Sequence, residues 1–337
     1  MPFHYIVSGR QTPEQQDLPS YRTYQYTQSK HYFVKPELAD AINVALYTNQ
    51  PLLITGEPGT GKTQLAARIV WELKLNGPLV FHTKSTSVST DLFYTYNALA
   101  RFHAAQTGEK LRNGTDFIKY NALGEAILLS NTTEDIHKIE NDYDTKLVKH
   151  HAIFSEPKRS IVLIDEIDKA PRDFPNDLLH EIETCEFEIP ELNNARIKAH
   201  PDCYPVVIIT SNSEKHLPDA FLRRCVYYHI PFPDLDEMRH IVLQRLKDMV
   251  DLHDDDFLLD ALTLFYELRN QRHSITKRPS TAELLIWLQM LRKHSSTKNP
   301  IREDKERVKQ TLYSILIKTK DDLPIAKRVV EKWLSNK

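Results

Sequence analysis

The stretch LLITGEPGTGKTQLAARIVWELK, residues 52–74, decides the fold. LLIT is apolar and β-prone, and TQLAARIVWELK repeats its apolar residues at helical spacing, so a strand enters a loop and a helix leaves it. The loop, Gly56-Glu57-Pro58-Gly59-Thr60-Gly61-Lys62-Thr63, matches G-x-x-x-x-G-K-[ST] in the strand–loop–helix setting that this motif requires. Its glycines let backbone N–H groups turn inward around phosphate oxygens, and the helix that follows points its positive dipole end at the same anion. The chain has 8 glycines in 337 residues, and three of them crowd into this one loop. The reading is a nucleotide-binding site over Gly56–Gln64, with Lys62 reaching the β- and γ-phosphates and the Thr63 hydroxyl ligating Mg²⁺.

Four more short apolar runs follow: LVFHT (79–83), IVLID (161–165), VVIITS (206–211) and VYYHI (226–230). Helical stretches separate them, which argues for an α/β fold, a parallel sheet covered on both faces. A helix is expected from Pro36. Residues 84–160 read as a long polar, mostly helical insertion, and EFEIPELNNARIKAH (186–200) as a hairpin around an Asn-Asn turn. After Pro231 every apolar pattern is helical. The expected organisation is a lead-in arm over 1–31, an α/β nucleotide-binding core over 32–231 and an all-α lid domain over 232–337.

The third run ends in Asp165 and Glu166. Such a strand beside the phosphate loop delivers Asp165 to the Mg²⁺ shell, and Glu166 suits activation of the attacking water. Asp168 reads as local helix-start or surface chemistry. The adjacent acids separate this site from G-proteins and kinases. A guanine-type motif, Thr319-Lys320-Asp321-Asp322, falls far past the last strand and reads as solvated linker, so ATP is the expected nucleotide.

A net charge of −2 gives no global attraction to nucleic acid or membrane surfaces. No run approaches the roughly 18 apolar residues of a spanning helix. Cys185, Cys203 and Cys225 lack metal-type spacing and read as reduced thiols. With no signal-peptide layout at the N-terminus, the expected location is cytoplasmic.

GEPGTGKT, LIDEIDKAPRDFPNDLL, IITSN and LPDAFLRRC, in that order, resemble an AAA+ ATPase, close to the MoxR-like branch. The resemblance covers about 32–295. It implies an ATP-hydrolysing ring, a hexamer, with Mg²⁺ at each site and the helical domain closing as a lid. It assigns Asn212 as the sensor-1 amide that places water against the γ-phosphate. It also makes Arg224 the residue that crosses to the neighbouring subunit's γ-phosphate, with adjacent Arg223 as the competitor. A sensor-2 arginine is expected near Ala282; Arg278 or Lys277 stands in reach instead, or the sensor is missing. MoxR-like proteins often accompany partner proteins bearing von Willebrand A-type domains, some in bacterial conflict systems. The resemblance therefore implies remodelling or gating of a partner protein. A nucleic-acid-directed motor or restriction-type subunit is the alternative, for which Arg196, Lys198 and His200 supply local basic character.

Overall fold

The computed structural model describes residues 29–106, 114–149, 156–213, 217–246, 255–293 and 297–337. The arm expected over 1–31 lies outside them except for a 3₁₀ turn at Ser29–His31. The chain divides into two compact units. One takes in Val34–Glu57 and Gly61–Pro231; the other takes in Phe232–Lys337, Pro58–Thr60 and the described residues before Val34.

The first unit opens with α1 (Pro36–Thr48), β1 (Leu52–Gly56), α2 (Lys62–Leu73) and β2 (Asn76–His82). It continues with β3 (Tyr94–Tyr96), α3 (Ala98–Gln106), β4 (Ile118–Tyr120), α4 (Ala122–Leu129) and α5 (Thr133–Asp142). Then come β5 (Ser160–Asp165), α6 (Phe174–Thr184), β6 (Glu186–Ile189), β7 (Ala195–Lys198), β8 (Val206–Ser211), α7 (Asp219–Leu222) and β9 (Val226–Ile230). Five of the strands form one parallel sheet in the order β2-β5-β8-β1-β9. Every residue of β1 and β5 is buried, as strands covered on both faces must be. The carboxyl ends of β1, β5 and β8 therefore open on one side of the sheet, where open α/β sheets hold ligands.

The segment after β2 departs from expectation in one respect. It is not a peripheral insertion throughout: all of α4 except Glu125 is buried, and α4 packs on β2 and β5. Gly124 is required there, because a Cβ at that position would lie 2.0 Å from the Phe93 carbonyl oxygen. Its helices α3, α4 and α5 match the expected helical character, and it also holds a small antiparallel pair, β3 and β4. Each is three residues long, too short for an alternating pattern to stand out.

The hairpin β6–β7 is antiparallel, and Asn193 and Asn194 both take left-handed φ values of 57° and 58°, a conformation asparagine tolerates. Phe187, Ile189, Ala195 and Ile197 point into the core. The opposite face pairs its own charges: Arg196 Nε lies 2.9 Å from Glu188 and Lys198 Nζ 3.9 Å from Glu186. The basic character read from the sequence is thus largely matched by neighbouring acids.

The second unit is built from α8 (Leu235–Leu246), α9 (Asp255–Arg269), α10 (Thr281–Lys293), α11 (Pro300–Glu303), α12 (Lys305–Leu316) and α13 (Asp322–Ser335). Its core gathers Phe257, Phe265, Trp287 and aliphatic residues from these helices. No described helix is long and apolar enough to cross a membrane.

Thr319–Asp322 is not solvated linker. Asp322 is 1% exposed and accepts hydrogen bonds from the Thr276 and Lys277 backbone amides and the Thr276 and Thr319 hydroxyls. Burial pushes its pKa up, but these bonds outweigh burial and bring it down from 3.8 to about 2. Its stabilising contribution is complete above pH 3.8 and is lost as pH falls toward about 2. Asp322→Ala leaves buried donors without an acceptor and is expected to cost about 3 kcal/mol, checked by urea unfolding at pH 7.

Candidate active site

The phosphate loop runs from the end of β1 into α2. Gly61, at the helix entry, has φ 88°, the left-handed region where a side chain would strain the backbone. Lys62 then starts the helix and turns back. Its Nζ donates to the Gly56 carbonyl at 2.7 Å, the Glu57 carbonyl at 3.0 Å and Asn212 Oδ1 at 2.9 Å. The side chain is buried, and loss of water lowers its pKa against the pull of Asp168, Asp165, Glu166 and Glu57. The Gln64 backbone amide donates to the Gly61 carbonyl at 3.0 Å, closing the loop's last turn.

β5 does not pair with β1; β8 stands between them. Asp165 nevertheless meets the loop, because the first turn of α2 brings the Thr63 hydroxyl to 3.1 Å from Asp165 Oδ1. The same oxygen accepts the Thr210 hydroxyl at 2.6 Å, and Oδ2 lies 3.5 Å from His82 Nδ1. Among the described residues no three His, Cys, Asp or Glu side chains gather as a self-sufficient metal cage. A hydroxyl beside one carboxylate is instead the hard-oxygen set that suits Mg²⁺, whose remaining ligands are water and substrate phosphate.

Glu166 follows with φ 59° and ψ 51°, an uncommon conformation for a non-glycine residue. Its amide donates to Thr210 Oγ1 at 2.9 Å, while its half-exposed carboxylate pairs with Lys169. Asn212 lies just past β8, its side chain on Lys62 and its amide donating to Asp168 Oδ1 at 3.0 Å. Asp168 also accepts the Ser211 hydroxyl at 3.1 Å, so its role is neither surface chemistry nor local capping.

Arg224 stands apart from this network. Its Nε lies 3.1 Å from Glu183 of α6, and both side chains are about half exposed. Arg223 is exposed and makes no ion pair among the described residues. In the second unit, the amides of Thr276 and Lys277 are held by Asp322, while the Lys277 and Arg278 side chains are exposed; Ala282 lies in the first turn of α10.

Thr210 and His82 meet Asp165 without having been expected there, and Asp168 binds Ser211 and Asn212 rather than its own helix start. The signal for Thr210 was a polar residue inside the otherwise apolar VVIIT. His82 carried no comparable signal, whereas Asp168 stands inside LIDEIDKAP, one of the stretches that carry the family resemblance.

Residues 51–225, just over half of the chain, match the AAA domain family, dynein-related subfamily. No curated protein matches the chain. The matched span contains the phosphate loop, Asp165, Glu166, Asn212 and Arg224. The chain belongs to the AAA domain family, dynein-related subfamily, and is an AAA+ ATPase.

Proposed function

We propose that the chain is a MoxR-like AAA+ ATPase that hydrolyses ATP with Mg²⁺ at the intersubunit sites of a hexameric ring and remodels or gates a partner protein. The observation that carries the reading is the contact between Lys62 Nζ and Asn212 Oδ1, beside the Thr63–Asp165 contact. It joins the phosphate loop to the strand end bearing the sensor amide and brings the metal-binding pair alongside.

The residues divide the work as follows. Backbone amides of Gly56, Glu57, Gly59, Thr60 and Gly61 line the phosphate chain, Pro58 shapes the loop without a donor of its own, Gln64 closes its last turn, and Lys62 neutralises the β- and γ-oxygens. Thr63 and Asp165 hold Mg²⁺, which when bound offsets the charge that develops on the leaving group. Glu166 takes the proton from the attacking water as the water oxygen bonds to the γ-phosphorus and the β–γ bridge breaks, giving ADP and phosphate. Asn212 orients that water. Arg224 of one subunit stabilises transition-state charge in the next.

A protein substrate is favoured over nucleic acid, since the hairpin's Arg196 and Lys198 face Glu188 and Glu186. A partner with a von Willebrand A-type domain, in a bacterial conflict system, fits the MoxR-like reading. The test combines a pull-down by Glu166→Gln in ATP with ATPase assays at physiological salt. Recovery of a protein that stimulates turnover is expected, with no stimulation by DNA or RNA. Stimulation of several-fold by either nucleic acid would overturn protein remodelling in favour of a nucleic-acid motor.

A further inference from the structure

We infer that Asp168 is a positioning residue for hydrolysis, acting through the loop that carries Asn212; the inference rests on the sensor reading of Asn212 given above. Asp168 sits in the 3₁₀ turn Ile167–Lys169, directly after the acidic pair. Ile167, 1% exposed, anchors that turn in the core, and the turn packs on β8. From there a single carboxylate oxygen, Oδ1, accepts both the Asn212 amide at 3.0 Å and the Ser211 hydroxyl at 3.1 Å.

Asn212 is thereby held at two points. Asp168 fixes its main chain, and Lys62 fixes its side-chain oxygen at 2.9 Å. Lys62 is donor-only, so the amide must present its oxygen to the lysine. Its NH₂ group is then left as the donor available to a water or a phosphate oxygen. Releasing the main-chain anchor lets that NH₂ drift while Lys62 and the phosphate loop keep their own contacts. Because a misplacement of about 1 Å can cost 10²-fold in rate, the loss falls on turnover more than on nucleotide binding.

The test compares Asp168→Ala, which removes the acceptor, with Asp168→Asn, which keeps a side-chain oxygen acceptor and removes the charge. Asp168→Ala is expected to lower kcat about 10- to 100-fold with KM for ATP changed less than about threefold. Asp168→Asn is expected to return kcat to within about threefold of the parent, since hydrogen-bond acceptance is what matters. Adding Asp168→Ala to Asn212→Ala is expected to cost nothing further, as for two residues acting as a unit. In nucleotide-free protein, exchange of the Asn212 amide proton should accelerate about tenfold or more in Asp168→Ala and stay protected in Asp168→Asn. If Asp168→Ala does not fold, Asp168→Leu takes its place against Asp168→Asn.

Unchanged kcat, an additive loss in the double variant, failure of Asn to rescue, or unchanged exchange overturns the inference. Normal turnover in Asn212→Ala would instead sink the sensor reading, and the exchange measurement would still decide whether Asp168 holds the loop.

Discussion

Replacing Glu166 with glutamine is expected to lower ATP turnover by about 10²–10⁴-fold while ATP still binds. Glutamine has the shape of glutamate but cannot accept the proton of the attacking water. The Glu166 main-chain bond to Thr210 Oγ1 at 2.9 Å does not depend on the side chain, so the β5–β8 junction and Asp165 stay in place. The substitution also removes the ion pair with Lys169, but that pair is solvent-exposed, and exposed pairs contribute little, about 0–1 kcal/mol. Phosphate release measured beside equilibrium binding of a fluorescent ATP analogue separates the two effects. Turnover at the parental rate would remove Glu166 from the role of base. Loss of binding together with turnover would place it in nucleotide affinity instead.

The second large effect concerns two inactive variants that should repair each other. Lys62→Ala is expected to be inactive because it removes the cation proposed to meet the γ-phosphate and strips Asn212 Oδ1, the Gly56 carbonyl and the Glu57 carbonyl of one shared donor. Arg224→Ala is expected to lose about 10³–10⁵-fold in turnover, the scale of an arginine acting on phosphoryl transfer from a neighbouring subunit. Mixed and co-assembled, the two should regain activity. A subunit with Lys62 intact then receives Arg224 from its Lys62→Ala neighbour. The Glu183 pair at 3.1 Å does not oppose this, since both groups are about half exposed and release each other at little cost. Arg223→Ala is the control and should keep turnover near the parent. Absence of recovery in a mixture shown to co-assemble would count against a trans role. An inactive Arg223→Ala beside an active Arg224→Ala would move that role one residue back.

The parts of the site that were legible in the sequence are those whose chemistry depends on local order. Gly56–Thr63 has to be contiguous because successive backbone amides wrap one phosphate chain, and the dipole of α2 has to begin where the loop ends. Asp165 and Glu166 were visible because charge seldom ends a fully apolar strand without cause. Asp322 was misread for the opposite reason. A Thr-Lys-Asp-Asp run in a helical tail resembles solvent-facing polarity, and only the approach of Thr276 and Lys277, distant in sequence, makes its carboxylate a buried acceptor.

The sequence alone determined the α/β core, the phosphate loop, the acidic pair and the order of motifs along the chain. Each of these is written in short-range periodicity or contiguous residues. The tertiary structure decided which strand stands beside which. β8, between β1 and β5, carries Thr210 to Asp165 and Asn212 to Lys62. It also turned α4 from insertion into core and matched the hairpin's cations with acids across the strand pair. The hairpin's ion pairs follow from its register, Glu188 opposite Arg196 and Glu186 opposite Lys198. The strand neighbours and the burial of α4 depend on contacts between residues far apart in the chain, which a local pattern does not encode.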